Sequence, residues 1–557
     1  MSRNRVLPVL LFLAICPYFM DLGGSSIWDA NEAFYVETPR EMMERGDYIN
    51  PTFNYEPRVN KPVLSYWIVA GFYHLFGVSV GVQRFPIAVG GIALIVTAFF
   101  LARAASPDSR AVLAAWWAAL GLAVSPRLLM FSRRIFIDIY ISMFMALTLL
   151  FFALAERHPA RRRLFLVLMY ICVGLGVLTK GPIAALLPGL VFAAYLAAFR
   201  ELGRVRTMFV PLGILIVLAI VVPWYAALYQ QWGWGPIKSF FFGENVARYV
   251  DGAGVNADRP VWWYLPVVFS DSFPWSLFLF PAAALWLRER PFASESGDAT
   301  FRVRTLLWIW ILCIVGFFSL SAGKQDLYIY PIVPAIVALA GVVIARSMGQ
   351  EASDPPQMRL VTALIGGLLV VAGAGFLVLF NSALAVYVLD GSALVGLTAI
   401  VGGACVMAFA LRRRAFAALV AVACALIVVN WVFVLRVLPS FEAYKPAPQL
   451  AEVLKKRAGP DDLIVTYNVA LPSLVYYLRR HTEVFYDHGP VLDLLQSGRP
   501  LFLMVTRDDY ARAIEPATTA RLCRISSQPT FDVKLKNVLS RQRMPEILLL
   551  TNRCTEK

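Results

Sequence analysis

The chain has 557 residues, 59% of them hydrophobic and 16% charged, with 51 Lys and Arg against 36 Asp and Glu for a formal net charge of +15. Soluble globular domains carry nearer a quarter charged residues, so this composition excludes one and indicates a polytopic membrane protein. The positive excess does not point to nucleic acid either: no soluble basic stripe interleaved with aromatics is present, and the arginines gather in short loops between apolar runs.

In chain order, MSRNR precedes the first apolar run without a small-residue cleavage site, which predicts a retained first span rather than a removed signal peptide. Runs able to cross roughly 30 Å of hydrocarbon at roughly 1.5 Å per residue follow. They cover 6–20, 85–103, 111–126, 138–155, 164–179, 183–199, 207–227, 263–287, 305–321, 328–345, 360–380, 392–411 and 416–436. Clusters such as Arg161 to Arg163 and Arg412 to Arg414 fall in every second loop, which sets the amino terminus and those loops in the cytoplasm. Residues 62–78 carry Tyr, Trp and His and predict an interfacial helix.

The first loop is dense in charge. Asp29, Asn31 and Glu32 come first, then an amphipathic helix over Thr38 to Arg45, a turn at Gly46-Asp47, and finally Tyr55, Arg58 and Lys61. A polar site with cations at one end suits an anionic headgroup, although a charge run is as often a solvated loop. Further ionisable groups on the same side are Arg127, Arg133, Arg134 and Asp138; Lys180; Lys238, Glu244, Arg248, Asp258 and Arg259; and Lys324, Asp326 and Tyr328. Charge at the hydrocarbon boundary is costly and persists where function uses it, though pairing of Arg134 with Asp138 one turn apart would explain some of it.

From 439 onward helical and strand patterns alternate, predicting a small external α/β domain over 439–557. Five of the seven cysteines lie inside spans; Cys523 and Cys554 lie in the external domain, where oxidising conditions favour a disulfide. There is no Gly-rich phosphate loop, no zinc-spaced cysteine pair and no Gly-x-Ser-x-Gly elbow. No cofactor is required by any motif; His481 and His488, near Glu483 and Asp487, are weak candidates for a divalent metal.

Asn31-Glu32, Arg40-Glu41-Met42, Gly46-Asp47, Pro51 and Lys61-Pro62 before Trp67 form an ordered set, continued by Asp138, Lys180-Gly181-Pro182, Pro223-Trp224-Tyr225, Glu244 with Arg248, Pro274-Trp275, and Lys324 with Tyr328. It resembles the C-type glycosyltransferases related to protein O-mannosyltransferases, over roughly the first 340 residues. Length and external tail most resemble the bacterial lipid A aminoarabinose transferases of that superfamily. The resemblance implies a GT-C fold of about 13 transmembrane helices in a membrane domain over 1–438, with external loops at 22–84 and 229–262 and a periplasmic C-terminal α/β domain. It also implies inverting transfer of 4-amino-4-deoxy-L-arabinose from undecaprenyl phosphate to lipid A phosphates in the inner membrane by a monomer, giving polymyxin resistance. Transfer of another sugar, or to a protein or glycan, is the alternative; a lipid flippase is the non-enzymatic one, against which the absence of an internal repeat counts.

On this basis Asp29, Asn31, Glu32, Asp138 and Lys61 are the expected catalytic residues, with Asp29, Glu32 and Asp138 converging on the sugar. Tyr35, Tyr55, Arg58, Lys61, Arg248, Lys324 and Tyr328 are expected to bind the carrier or donor, and Arg127, Arg133, Arg134 and Lys180 the acceptor. Asn31 stands where the family has its leading Asp, which favours an already ionised phosphate as acceptor over a hydroxyl needing a base.

Overall fold

The computed structural model describes residues 3–29, 31–252, 259–289, 298–348, 356–382, 385–518, 521–531 and 544–554. Among these, nine helices are long and apolar enough to cross a membrane, or eleven if each of two bent pairs is one span. The bent pairs are Asp108–Ala123 with Pro126–Ser132, at 62°, and Val261–Asp271 with Trp275–Arg288, at 107°. Both breaks fall at a proline, Pro126 and Pro274, where the preceding residue is pushed out of helical geometry. Ser125 then restarts the chain by accepting the Leu128 N–H at 3.3 Å. Arg5–Phe19 and Ile183–Ala198 lie where two more of the thirteen spans are expected but fall short of spanning length, so thirteen crossings are not established.

Asp326–Ser347 stands at the centre, with 89% of its apolar window buried, against 17% for Val210–Trp232 and 22% for Gln357–Asn381 at the perimeter. Close approach of helices depends on small residues. Added side-chain carbon at Gly341 would overlap the Ala114 carbonyl, and Gly366 and Gly403 likewise let two outer helices meet backbone to backbone.

The first loop folds back over the membrane domain. Its helix is longer than expected, Asn31–Arg45, and Arg40 binds Glu37 (2.6 Å) and Glu44 (2.9 Å) along one face. Gly46, at φ +67°, ends it, and Asp47 accepts the Ile49 and Asn50 N–H groups at 3.0 and 3.2 Å. Strands β1 (Thr52–Phe53) and β2 (Glu56–Pro57) form a short hairpin. Leu64–Phe76 follows as a 13-residue apolar helix.

Beyond Pro446–Arg457, strands β3 (Leu463–Tyr467), β4 (Glu483–Phe485), β5 (Leu501–Thr506), β6 (Cys523–Pro529) and β7 (Glu546–Thr551) form a sheet of order β4-β3-β5-β7-β6. β3 runs parallel to β4 and β5, while β7 is antiparallel to β5 and β6. Alternate residues of β5 serve two cores, Phe502 and Met504 with Leu450 and Leu454, and Leu503 and Val505 with Val491 and Ile514. Cys523 and Cys554 form a disulfide with Cα atoms 5.5 Å apart.

Candidate active site

A cavity of about 800 Å³ opens where the first loop, the segment around 241–250 and the ends of several spanning helices meet. Its construction follows from helix termini. Asp138 occupies the first turn of Ile137–Arg157 and Lys180 is the last residue of the neighbouring Arg162–Lys180, so each charge sits at the helix end whose dipole favours it. The two side chains form an ion pair, and the Lys180 ammonium lies 5.3 Å from the centre of the Tyr328 ring. Gly181, at φ +104°, turns the chain immediately afterwards; a Cβ there would come within 2.7 Å of the Phe240 ring.

The opposite wall is a second charged group. Lys61 Nζ and Arg248 Nη2 each lie 3.0 Å from Glu244 Oε2. Glu244 rides on a π-helical segment, Ser239–Ala247, which runs directly into Arg248–Val250. Arg58 Nη1 donates to the Tyr66 hydroxyl at 3.0 Å and packs over Phe34 at 4.1 Å, while Tyr66 stacks on Tyr35. Burial lowers the Lys61 ammonium from its ordinary range, with Glu244 opposing the shift and the charges of Arg248 and Lys180 adding to it. Four cations (Arg58, Lys61, Lys180, Arg248) thus face two carboxylates (Asp138, Glu244), an excess of two positive charges in a partly enclosed space. Ile141, Met145, Ile183 and Leu187 line the same cavity on its membrane side. An anionic group attached to a long apolar chain matches both surfaces.

Tyr35, Arg58, Lys61, Asp138, Lys180, Arg248 and Tyr328 are therefore brought together as expected residues of one cavity. Several others are not. Glu32 accepts Arg84 Nε and Nη2 at 2.7 and 2.9 Å and the Trp28 N–H at 3.0 Å, both ionic partners being 1% exposed. Burial alone would raise its carboxyl, but Arg84 overrides this and leaves it below the usual range. Asp29 accepts the Ser473 N–H of the C-terminal domain at 2.9 Å; burial raises it to about 6 despite that bond and Lys445. Convergence of Asp29, Glu32 and Asp138 on one point is thus corrected, because the first two hold protein to protein. The Asn31 side chain lies outside the described residues, as does Asp258.

The expected acceptor arginines also have other partners. Arg127 pairs with Asp271 at 2.9 Å, and Arg133 donates to the carbonyls of Pro17 and Met20 at 2.6 Å and of Asp21 at 2.9 Å. Arg134 lies 3.6 Å from the Trp28 ring and Asp138 pairs with Lys180, so the alternative in which Arg134 and Asp138 neutralise each other is not met. Lys324 is buried against the Ser321 carbonyl at 2.5 Å, and Tyr55 bonds Arg40 at 3.1 Å. His481 contacts the Asn54 carbonyl at 3.0 Å and Glu483 at 3.6 Å; among the described residues no group of three or more His, Cys, Asp or Glu could hold a metal. Glu244 was not among the expected site residues. Its spacing of four from Arg248 signals a helical pair, but only the fold shows Lys61 reaching it across 183 residues.

Residues 60–226 match the family described as dolichyl-phosphate-mannose-protein mannosyltransferase. An undecaprenyl phosphate-α-4-amino-4-deoxy-L-arabinose arabinosyl transferase of Pseudomonas fluorescens is 26% identical over 67% of this chain and 66% of its own length. One from Pseudomonas aeruginosa is 29% identical over 62% and 61%. The chain thus matches less than two thirds of the length of these curated relatives. ArnT from Cupriavidus metallidurans, solved with undecaprenyl phosphate, superposes with a TM-score of 0.77 at 22% identity, covering 100% of this chain and 99% of that one. The chain therefore has the GT-C fold over its full length, and over part of that length it is similar in sequence to glycosyltransferases that use lipid-linked sugars.

Proposed function

We propose that the enzyme transfers 4-amino-4-deoxy-L-arabinose from undecaprenyl phosphate to phosphate groups of lipid A at the periplasmic face of the inner membrane, lowering lipopolysaccharide charge and the affinity of polymyxin. The observation that supports this most is the cavity itself: an excess of two positive charges beside an apolar membrane-side wall, in a fold like that of a protein solved with undecaprenyl phosphate. The names of the relatives support the choice of sugar. In this reading Arg58, Lys61 and Arg248 hold the carrier phosphate, Arg gripping two oxygens where Lys supplies a point charge. An acceptor phosphate is already ionised, so Asp138 serves less to take a proton than to orient the sugar and balance positive charge developing at the anomeric carbon. Lys180, ion-paired with Asp138 in the same cavity, is assigned in this reading to the incoming phosphate.

The test is mass spectrometry of lipid A from cells with and without the gene. Aminoarabinose-bearing species present only with the gene are expected; identical lipid A profiles would overturn the acceptor assignment. Transfer to a protein hydroxyl is the second reading, favoured by the mannosyltransferase family match at 60–226; in that case a glycosylated protein, and no lipid A species, would depend on the gene. Orientation is proposed on the arginine pattern: a periplasm-specific reporter fused after Ser440 should be active, and one fused after Arg413 inactive.

A further inference from the structure

Asp138 and Arg157 are opposite ends of one helix, Ile137–Arg157, and Arg157 pairs with Asp108 at 3.3 Å. The arginine-rich end of the bundle is therefore the one remote from the main cavity. A second cavity, of about 370 Å³, opens there between Asp108–Ala123, Leu279–Arg288, Val333–Ser347 and the start of Pro356–Asn381. Its polar edge is made by Arg110, Arg288 and Arg346, one from each of three helices, and by Ser347. Its inner wall is apolar, with Pro281, Leu285, Val343 and Met358.

Among the described residues, charge at this edge is not balanced from within. Glu289 accepts Arg346 at 3.0 Å but also serves Arg304 at 2.9 Å. Among the described residues Arg110 reaches only the Arg346 carbonyl, at 3.4 Å, and neither Arg110 nor Arg288 forms an ion pair. Orientation of the protein explains why arginines collect at this end, yet it gives no reason for three of them to ring a concavity with an apolar floor. Three guanidinium groups from separate helices can each direct paired N–H donors at one set of phosphate oxygens, while the floor accommodates the apolar part of the molecule carrying them.

We propose that this second cavity binds the phosphate of an anionic phospholipid, with Arg110, Arg288 and Arg346 around the headgroup and Leu285, Val343 and Met358 against its glycerol and upper acyl chains. The site is separate from the transfer cavity and does not depend on which sugar is moved.

Purified full-length protein in neutral detergent would be titrated with phosphatidylglycerol, phosphatidylcholine or inorganic phosphate, with retention read by native mass spectrometry. Retention of phosphatidylglycerol over phosphatidylcholine is expected, weakened roughly 30-fold in R110Q/R288Q, from two cationic contacts near a membrane surface. A284F, which fills the cavity without changing charge, should also lose retention, and it covers the case in which the double variant does not fold. Inorganic phosphate retained as strongly as phosphatidylglycerol would overturn the lipid as the source of the phosphate. Equal retention of phosphatidylglycerol by wild type, R110Q/R288Q and A284F would overturn the site altogether.

Discussion

The main cavity and the joint beneath the C-terminal domain are built from the same materials, carboxylates and cations contributed in part by the first loop, and they differ in how those charges are matched. At the joint, Arg84 meets Glu32 and is further capped by the carbonyls of Leu22, Ser25 and Ser26 at 2.8–3.0 Å, with no room left around it. Trp28 lies between Arg134 and Lys445, at 3.6 and 4.1 Å, and the Ile27 N–H bonds the Tyr477 hydroxyl at 2.8 Å. In the cavity, Glu244 is shared by Lys61 and Arg248, Arg58 has only phenol and ring partners among the described contacts, and the space in front of them is open. Matched charge in a filled volume holds a fold together; unmatched charge facing a cavity is available to a ligand.

The largest effect should come from breaking the matched pair. Glu32→Gln leaves Arg84 buried without its counter-charge and should cost about 3–5 kcal/mol of stability, seen as a large drop in Tm together with loss of activity in proportion to folded protein. Next, Asp138→Asn should leave Tm nearly unchanged but reduce turnover by roughly 10²–10³, as for removal of one preorganised electrostatic contact. Unchanged turnover with lowered Tm would reduce Asp138 to a structural partner of Lys180. Asn54→Ala removes three bonds to residues of the C-terminal domain, the Asn54 amide with the Thr482 carbonyl (2.8 Å), N–H (2.9 Å) and hydroxyl (3.4 Å). A loss of about 1–2 kcal/mol is expected, because net hydrogen-bond contributions are modest, read as increased proteolysis between the two parts.

A further effect concerns pH. Asp29 is raised from 3.8 to about 6 by burial, so its contribution to the docked arrangement is fully present below about pH 4 and is lost as pH rises through about 6. It amounts to at most about 3 kcal/mol. Asp29→Asn keeps an acceptor for the Ser473 N–H and should flatten this part of the pH dependence of thermal unfolding; an unaltered profile would remove Asp29 from the joint.

The membrane class, the positions of most helices, the α/β tail and the Cys523–Cys554 disulfide were legible from hydropathy, alternation and cysteine location. Lys61, Arg58, Asp138, Lys180 and Arg248 were legible as charges that neither packing nor orientation explains. Glu32 and Asp29 misled for a physical reason: a sequence shows a carboxylate at a membrane surface but neither the arginine 52 residues from Glu32 that neutralises it nor the Ser473 N–H that Asp29 accepts. The same holds for Arg127 and Arg133, whose partners, Asp271 and the carbonyls at 17–21, come from distant turns. Bends at Pro126 and Pro274 were visible as prolines inside apolar runs, but a proline does not state its angle.

Direct binding of undecaprenyl phosphate to the purified protein distinguishes the two kinds of charge most sharply. Wild type and Lys456→Ala, which removes an exposed lysine of the C-terminal domain, should bind alike, whereas Lys61→Ala and Arg248→Ala should each weaken binding about 10-fold or more, in keeping with loss of a charged hydrogen bond of about 1.5–3 kcal/mol. Equal affinity across all four proteins at matched folding would contradict the assignment of the carrier phosphate to this cavity.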